Sequence, residues 1–223
     1  MPGKAQPSNI NTEELRLFPL GLVLLPGMSL PLRIFEERYK LMIGECLDKD
    51  VPFGVVLIKE GYEVGGLATY HTVGTTARIT KTERLENGRY ALQTVGEQPF
   101  SIHQITQEKP FLMGTVEYLD DGVPGRLGDL PSKAQELLSQ YWKLLVRIKG
   151  GWVRNVDMPS EPRALSYAVA QAVGSPPMVA QYLLQISSIK ERLERGIRLL
   201  QERLDRIKEE LDKLPPYQGP RLN

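Results

Sequence analysis

Between Leu17 and Tyr39 the chain reads LFPLGLVLLPGMSLPLRIFEERY, an almost wholly apolar run broken by Pro19, Pro26 and Pro31. Proline fixes φ and removes a backbone donor, so no helix passes through this run and no central strand spans all of it. The run must fold as short extended pieces joined at turns, with large side chains pressed into a core. From Glu36 the character changes, because good helix formers follow with no proline until Pro52. The pattern predicts a helix from Glu36 to about Asp48 that buries Tyr39, Met42, Ile43, Cys46 and Leu47.

The rest of the N-terminal half reads as strands. Leu15–Leu20 suits a first strand, and the short apolar run Pro52–Ile58 favours a strand by length and β-branched content. Val73–Leu85 and Arg89–Val95 flank Asn87-Gly88, a pair suited to a type I′ hairpin turn. Strands from about Phe100 to Ile105 and Gly114 to Leu119 follow. Many short antiparallel strands with one early helix predict a small, partly closed barrel.

The stretch from Asp120 to Leu130, with Gly122, Pro124, Gly125 and Gly128, reads as a linker. Beyond it the pattern is helical. Asp129 and Pro131 open a helix that stops at Gly150-Gly151, and Ser160 with Pro162 opens one ending at Gly174. Ser175 with Pro176 opens another, from Met178 to about Ile186. Ser188-Ile189-Lys190-Glu191 is a capping box for a last, long helix. In that helix Leu193, Ile197, Leu200, Leu204, Ile207, Leu211 and Leu214 alternate spacings of four and three, a heptad seam. The seam either packs on the preceding helices or joins a second copy or partner, so homo-oligomerisation through it is an open expectation. The expected class is α+β: a β-rich domain over 12–120, then a helical bundle over 129–214.

Three stretches resemble one family. Phe18–Tyr39 nearly reproduces FPL-x-x-VLLPG-x-x-LPLRIFEERY, the opening of the Lon protease N-terminal (substrate-binding) domain. Gly74-Thr75-Thr76-Ala77-Arg78-Ile79 is similar to its G-T-x-A-x-I strand. Gly88–Ile102 is similar to its G-R-x-x-L-x-x-x-G-x-x-R-F-x-I block, departing at Pro99, where that pattern has arginine. Met178–Gln185 resembles its K-Q-x-L-L-E helix start. The likeness is strong over 15–118 and weak over 130–214. It implies a PUA-like β-pseudobarrel followed by helices. Pro215-Pro216 stop the last helix and the chain ends at Asn223, which fits a stand-alone form without the ATPase and protease domains.

Composition narrows the functional classes. Net charge is +1, whereas a protein bound mainly through phosphate neutralisation carries a basic excess. The single cysteine, Cys46, excludes an intramolecular disulfide and any Cys-cluster metal site, and its apolar neighbours predict an inert thiol. No apolar stretch approaches the ~20 residues of a membrane span, and Met1–Asn11 lacks a signal core, so a cytoplasmic protein is expected. No G-x-x-x-x-G-K-S/T loop and no G-x-S-x-G elbow occurs. His71 and His103 are the only histidines, with no acid–nucleophile pattern around either. No catalytic residue, metal ligand or cofactor is expected.

The loop Gly61–His71 is glycine-rich yet carries apolar and aromatic side chains. Tyr62, Val64, Leu67, Tyr70 and His71 are therefore the candidate partner-binding residues, with Arg33 in a polar rim. The family likeness implies a non-catalytic module that binds unfolded or misfolded protein segments and is associated with a protease or chaperone. Two rivals stay open: a PUA-like RNA-binding protein, for which Arg78, Lys81, Arg84 and Arg89 would form the face, and a component with ATP-dependent peptidase activity.

Overall fold

The computed structural model describes residues 12–61, 69–149 and 158–213. The chain divides into two units, Met1–Gly122 with Gly174–Ser187, and Val123–Val173 with Ser188–Asn223.

The first unit holds β1 (Glu13–Leu20), β2 (Ser29–Ile34), α1 (Glu37–Lys49), β3 (Phe53–Glu60), β4 (Thr69–Arg84), β5 (Tyr90–Gln107) and β6 (Leu112–Tyr118). Sheet order is β2-β5-β4-β3-β1-β6 with a further β5–β6 pairing. That pairing closes β1, β3, β4, β5 and β6 into a ring, and β2 lies outside it on the first half of β5. This is the expected pseudobarrel, in an α+β fold.

Three details differ from the sequence reading. First, β1 and β3 are parallel, with Leu17 opposite Gly54, because β2 and α1 carry the chain back across before β3 begins. Second, Gly96 and Pro99 look like breaks in sequence, but β5 runs through both. It bends at register shifts against β4 and β6, which let one strand serve two neighbours. Third, the β4–β5 turn is not type I′. Glu86–Gly88 form one 3₁₀ turn, only Gly88 takes a positive φ (67°), and Leu85 N–H donates to Arg89 O. This is the three-residue alternative, which needs one left-handed residue instead of two.

The opening motif closes on itself in the core. The rings of Phe18 and Tyr39 lie 4.2 Å apart and Phe53 completes the cluster at 6.0 Å from Phe18. Tyr39, Met42, Ile43 and Cys46 are buried as expected, but Leu47 is 37% exposed. The ring-facing stripe of α1 ends at Cys46, and position 47 turns past it. Arg16 of β1 donates from Nε and Nη2 to Glu45 Oε2 of α1 at 3.1 and 2.7 Å, tying strand to helix. Glu36 stands at the helix cap, and its carboxylate accepts from Arg38 Nε at 3.0 Å. A second cluster gathers Leu15, Leu17, Val56, Phe100 and Val116. Gly74 lies so close that a Cβ there would meet Val55 O at 2.3 Å and Phe100 Cζ at 2.8 Å.

The second unit holds α2 (Leu130–Ile148), α3 (Pro162–Val173) and α5 (Ile189–Asp212). Leu193, Ile197, Leu200 and Leu204 are buried, and α5 packs on α2 and α3. That half of the seam serves its own unit. Ile207 and Leu211 are half-buried, and Leu214 lies outside the described residues, as do Gly150-Gly151 and Pro215-Pro216. Ser188 Oγ accepts from Glu191 N–H at 3.3 Å, the expected N-terminal cap. On α3 the capping group is the Glu161 carboxylate, accepting from Arg163 and Ala164 N–H at 2.8 and 2.6 Å, rather than Ser160. Arg192 is wholly buried, its Nε donating to Ser166 Oγ at 2.9 Å.

The remaining helix, α4 (Pro177–Leu184), belongs to the first unit and not to the helical bundle in which the sequence placed it. Gln181, 1% exposed, donates from Nε2 to Val73 O of β4 at 3.0 Å.

Candidate functional site

Of the candidate binding residues, Tyr62, Val64 and Leu67 lie outside the described residues. Tyr70 opens β4 opposite Ile58 and packs half-buried on the Phe100 cluster. Burial, and after it the Glu108 charge, pushes its hydroxyl pKa up. His71 follows, half-buried, with its pKa held down by burial and then by Lys59. Neutral forms of both side chains suit that setting. Arg33 is exposed on β2, opposite Ala91 of β5, which lies opposite Glu83 of β4. Glu83 and Tyr70 are thirteen residues apart on β4 (83 − 70). At the rise of an extended strand that is about 40 Å of contour. Arg33 thus sits two strands across from the far end of β4, whereas Tyr70 and His71 sit at its beginning.

Other apolar side chains of the first unit are open to solvent. Phe35, just past β2, is 53% exposed. On α4, Met178 and Tyr182 are 56% and 44% exposed and stand one turn apart, while Ala180, Leu183 and Leu184 are buried. The sequence reading missed these three. The signal was available for α4: PMVAQYLL is apolar almost all round, and a helix resting one face on a sheet leaves the other face uncovered.

The remaining polar features are structural. Cys46 is buried and its thiol is pushed up to about 11, chiefly by burial. His103 Nε2 lies 3.1 Å from Glu117 Oε2 on the exposed barrel surface. Among the described residues no three His, Cys, Asp or Glu side chains gather as a metal site, and no helix is long and apolar enough to cross a membrane. A groove of about 270 Å³ between α2 and α5 is lined by charges of both signs, Lys133, Lys208, Glu136 and Asp205. Arg78 is held 3.2 Å from Glu97, so the basic face an RNA would need is partly neutralised from within. Glu83 and Glu86 interrupt it further.

A model of the ATP-dependent protease La (LON) substrate-binding domain matches residues 14–202. This chain belongs to the Lon substrate-binding domain family. Among curated relatives, the Lon protease of Porphyromonas gingivalis is 26% identical over 219 residues, covering 90% of this chain and 26% of its own. Lon protease 2 of Myxococcus xanthus is 25% identical over 213 residues, covering 92% of this chain and 26% of its own. The chain thus spans about a quarter of the length of these relatives. A crystal structure of a Lon N-terminal domain protein from Xanthomonas campestris superposes with a TM-score of 0.64 at 24% identity, covering 82% of this chain and 96% of that one. The N-terminal domain of Mycobacterium avium complex Lon protease gives 0.57 at 17% identity, covering 85% and 99%. These likenesses establish the Lon-type fold. Within it, the family's opening motif is the part that builds the Phe18–Tyr39–Phe53 core and delivers β2 to the outside of the ring.

Proposed function

We propose that the chain is a recognition module that binds exposed apolar segments of unfolded protein and does no chemistry itself. The observation that carries this reading is the set of open apolar side chains, Phe35, Met178 and Tyr182, in a member of a family named for substrate binding. Large apolar groups held on a rigid frame capture segments that a folded protein would hide. Binding orders a flexible chain, and that entropy cost sets the affinity on the order of micromolar. The non-enzymatic part is supported by the matched region, which is the substrate-binding domain of the family. The bound segment would pass to a protease or chaperone partner.

Fluorescence anisotropy with labelled casein tests the reading. Saturable micromolar binding is expected, weakened several-fold by Met178→Ser with Tyr182→Ser at unchanged thermal stability. Absence of binding would overturn recognition, and serine-dependent cleavage of casein by the purified chain would overturn the non-enzymatic part.

A further inference from the structure

β2 is paired on one side only: its partner is β5, and among the described residues no strand lies along its other edge. The ladder fixes which groups face that edge. Gly96 N–H donates to Met28 O, so Met28 and Gly96 begin the hydrogen-bonded pairs, which recur at every second residue. Leu30, Leu32 and Ile34 therefore spend their backbone groups on Thr94, Leu92 and Tyr90. The bond from Leu85 N–H to Arg89 O gives the same phase from the other side, since it turns Ala91 and Gln93 toward β4. The backbone groups of Ser29, Pro31 and Arg33 are left facing outward.

We infer that this outer edge, Ser29–Arg33, takes up an extended segment of unfolded protein as an added strand. The inference rests on the recognition reading above and names its mode. The edge offers carbonyl acceptors at Ser29, Pro31 and Arg33 and N–H donors at Ser29 and Arg33, the alternating array to which a peptide backbone adds. It is rigid, because Leu30 and Ile34 are buried in the core while Ser29, Pro31 and Arg33 are exposed. By contrast, the far part of β4, from Thr80 to Arg84, is exposed on both faces and has no such base.

Pro31 selects the occupant. A second copy docking edge to edge about a two-fold centred on the strand would set Pro31 against Pro31, two carbonyls with no donor between them. An unrelated peptide supplies the N–H that Pro31 O needs. Arg33 favours an acidic side chain in that peptide, and Phe35 at the strand end favours an apolar one. The preferred segment is thus extended, β-prone, acidic and free of proline.

The test uses the full chain and a fluorescent peptide alternating valine and threonine around one aspartate. Two further versions carry backbone N-methyl groups on alternate residues, each blocking a different edge of the peptide. One version should lose about tenfold or more in affinity and the other should bind as the parent does, because only one peptide edge meets β2. Ser29→Pro removes an outward N–H and no ladder bond, so it should weaken the parent peptide several-fold at an unchanged melting temperature. Binding of all three peptides with equal affinity would overturn the added strand while leaving recognition intact. No binding of the parent would overturn recognition and the strand with it. Concentration-dependent dimerisation abolished by a bulky label at Ser29→Cys would assign the edge to a second copy instead.

Discussion

The guanidinium of Arg192 lies 3.9 Å from the centre of the Tyr167 ring, with the arginine at 0% exposure. Its Nε holds Ser166 Oγ, which in turn donates to Arg163 O at 2.7 Å. A planar cation stacked on a ring and donating in its own plane is a geometry that a lysine ammonium cannot copy. Arg192→Lys should therefore destabilise the second unit by about 2–3 kcal/mol, from a desolvated cation–π contact and one charged hydrogen bond. Trp142 of α2 belongs to that unit, so urea unfolding followed by tryptophan fluorescence reads it. A variant as stable as the parent would show that the stack contributes nothing.

Gly196 lets α5 approach α3. A Cβ there would sit 2.7 Å from Val169 Cγ1, and valine is stiff at χ1. Gly196→Ala gains about 1 kcal/mol of helix propensity but overpacks by about 1–3 kcal/mol. The net expectation is a loss, and Val169→Ala in the same chain should recover part of it. The double-mutant cycle measures this coupling, and simple additivity would mean the two residues do not press on each other.

Cys46 should behave as a core residue toward reagents. Its thiol is raised from 9.0 to about 11, so near pH 8 almost no thiolate exists in the folded chain. Iodoacetamide labelling should proceed at the rate of unfolding and accelerate with urea. The sign of the linkage follows from the raised value: the stability contributed by this thiol is whole below about pH 9 and is lost as pH rises toward 11, where the unfolded chain has already released its proton. Fast labelling of the native protein would place the thiol at the surface.

The segment between Asp120 and Leu130 should be the first site of limited proteolysis, since most of it is exposed and Val123 is 95% exposed. The two fragments should nevertheless elute together until denatured, because α4 lies in the C-terminal fragment and packs on β4 of the N-terminal one. Separation of the fragments without denaturant would contradict that packing.

What the sequence disclosed and what it withheld divide along physical lines. The proline-broken motif, the α1 face as far as Cys46 and the Ser188 cap are local or periodic signals, and each appears in the structure where the pattern put it, while Leu47 turns out of the core. The parallel β1–β3 pair and the unbroken β5 depend on which strands meet across the sheet, and local patterns are silent about that. Arg192 was invisible because a charged residue beside a heptad seam reads as solvated surface. Arg33 was singled out only as part of a rim. Its outward backbone became evident once the phase of the β2–β5 ladder was known.

Closing the ring sets a timetable for synthesis. Glu13 of β1 pairs with Val116 of β6, so 103 residues (116 − 13) separate the two edges that must join. At the usual pace of about 5–20 residues per second, the apolar first strand waits roughly 5–20 s with an edge uncovered while the ribosome makes its partner. A nascent chain of this fold is for that interval an unfolded client itself, and substitutions that make Leu15–Leu20 still more apolar should lower soluble yield before they alter the finished protein.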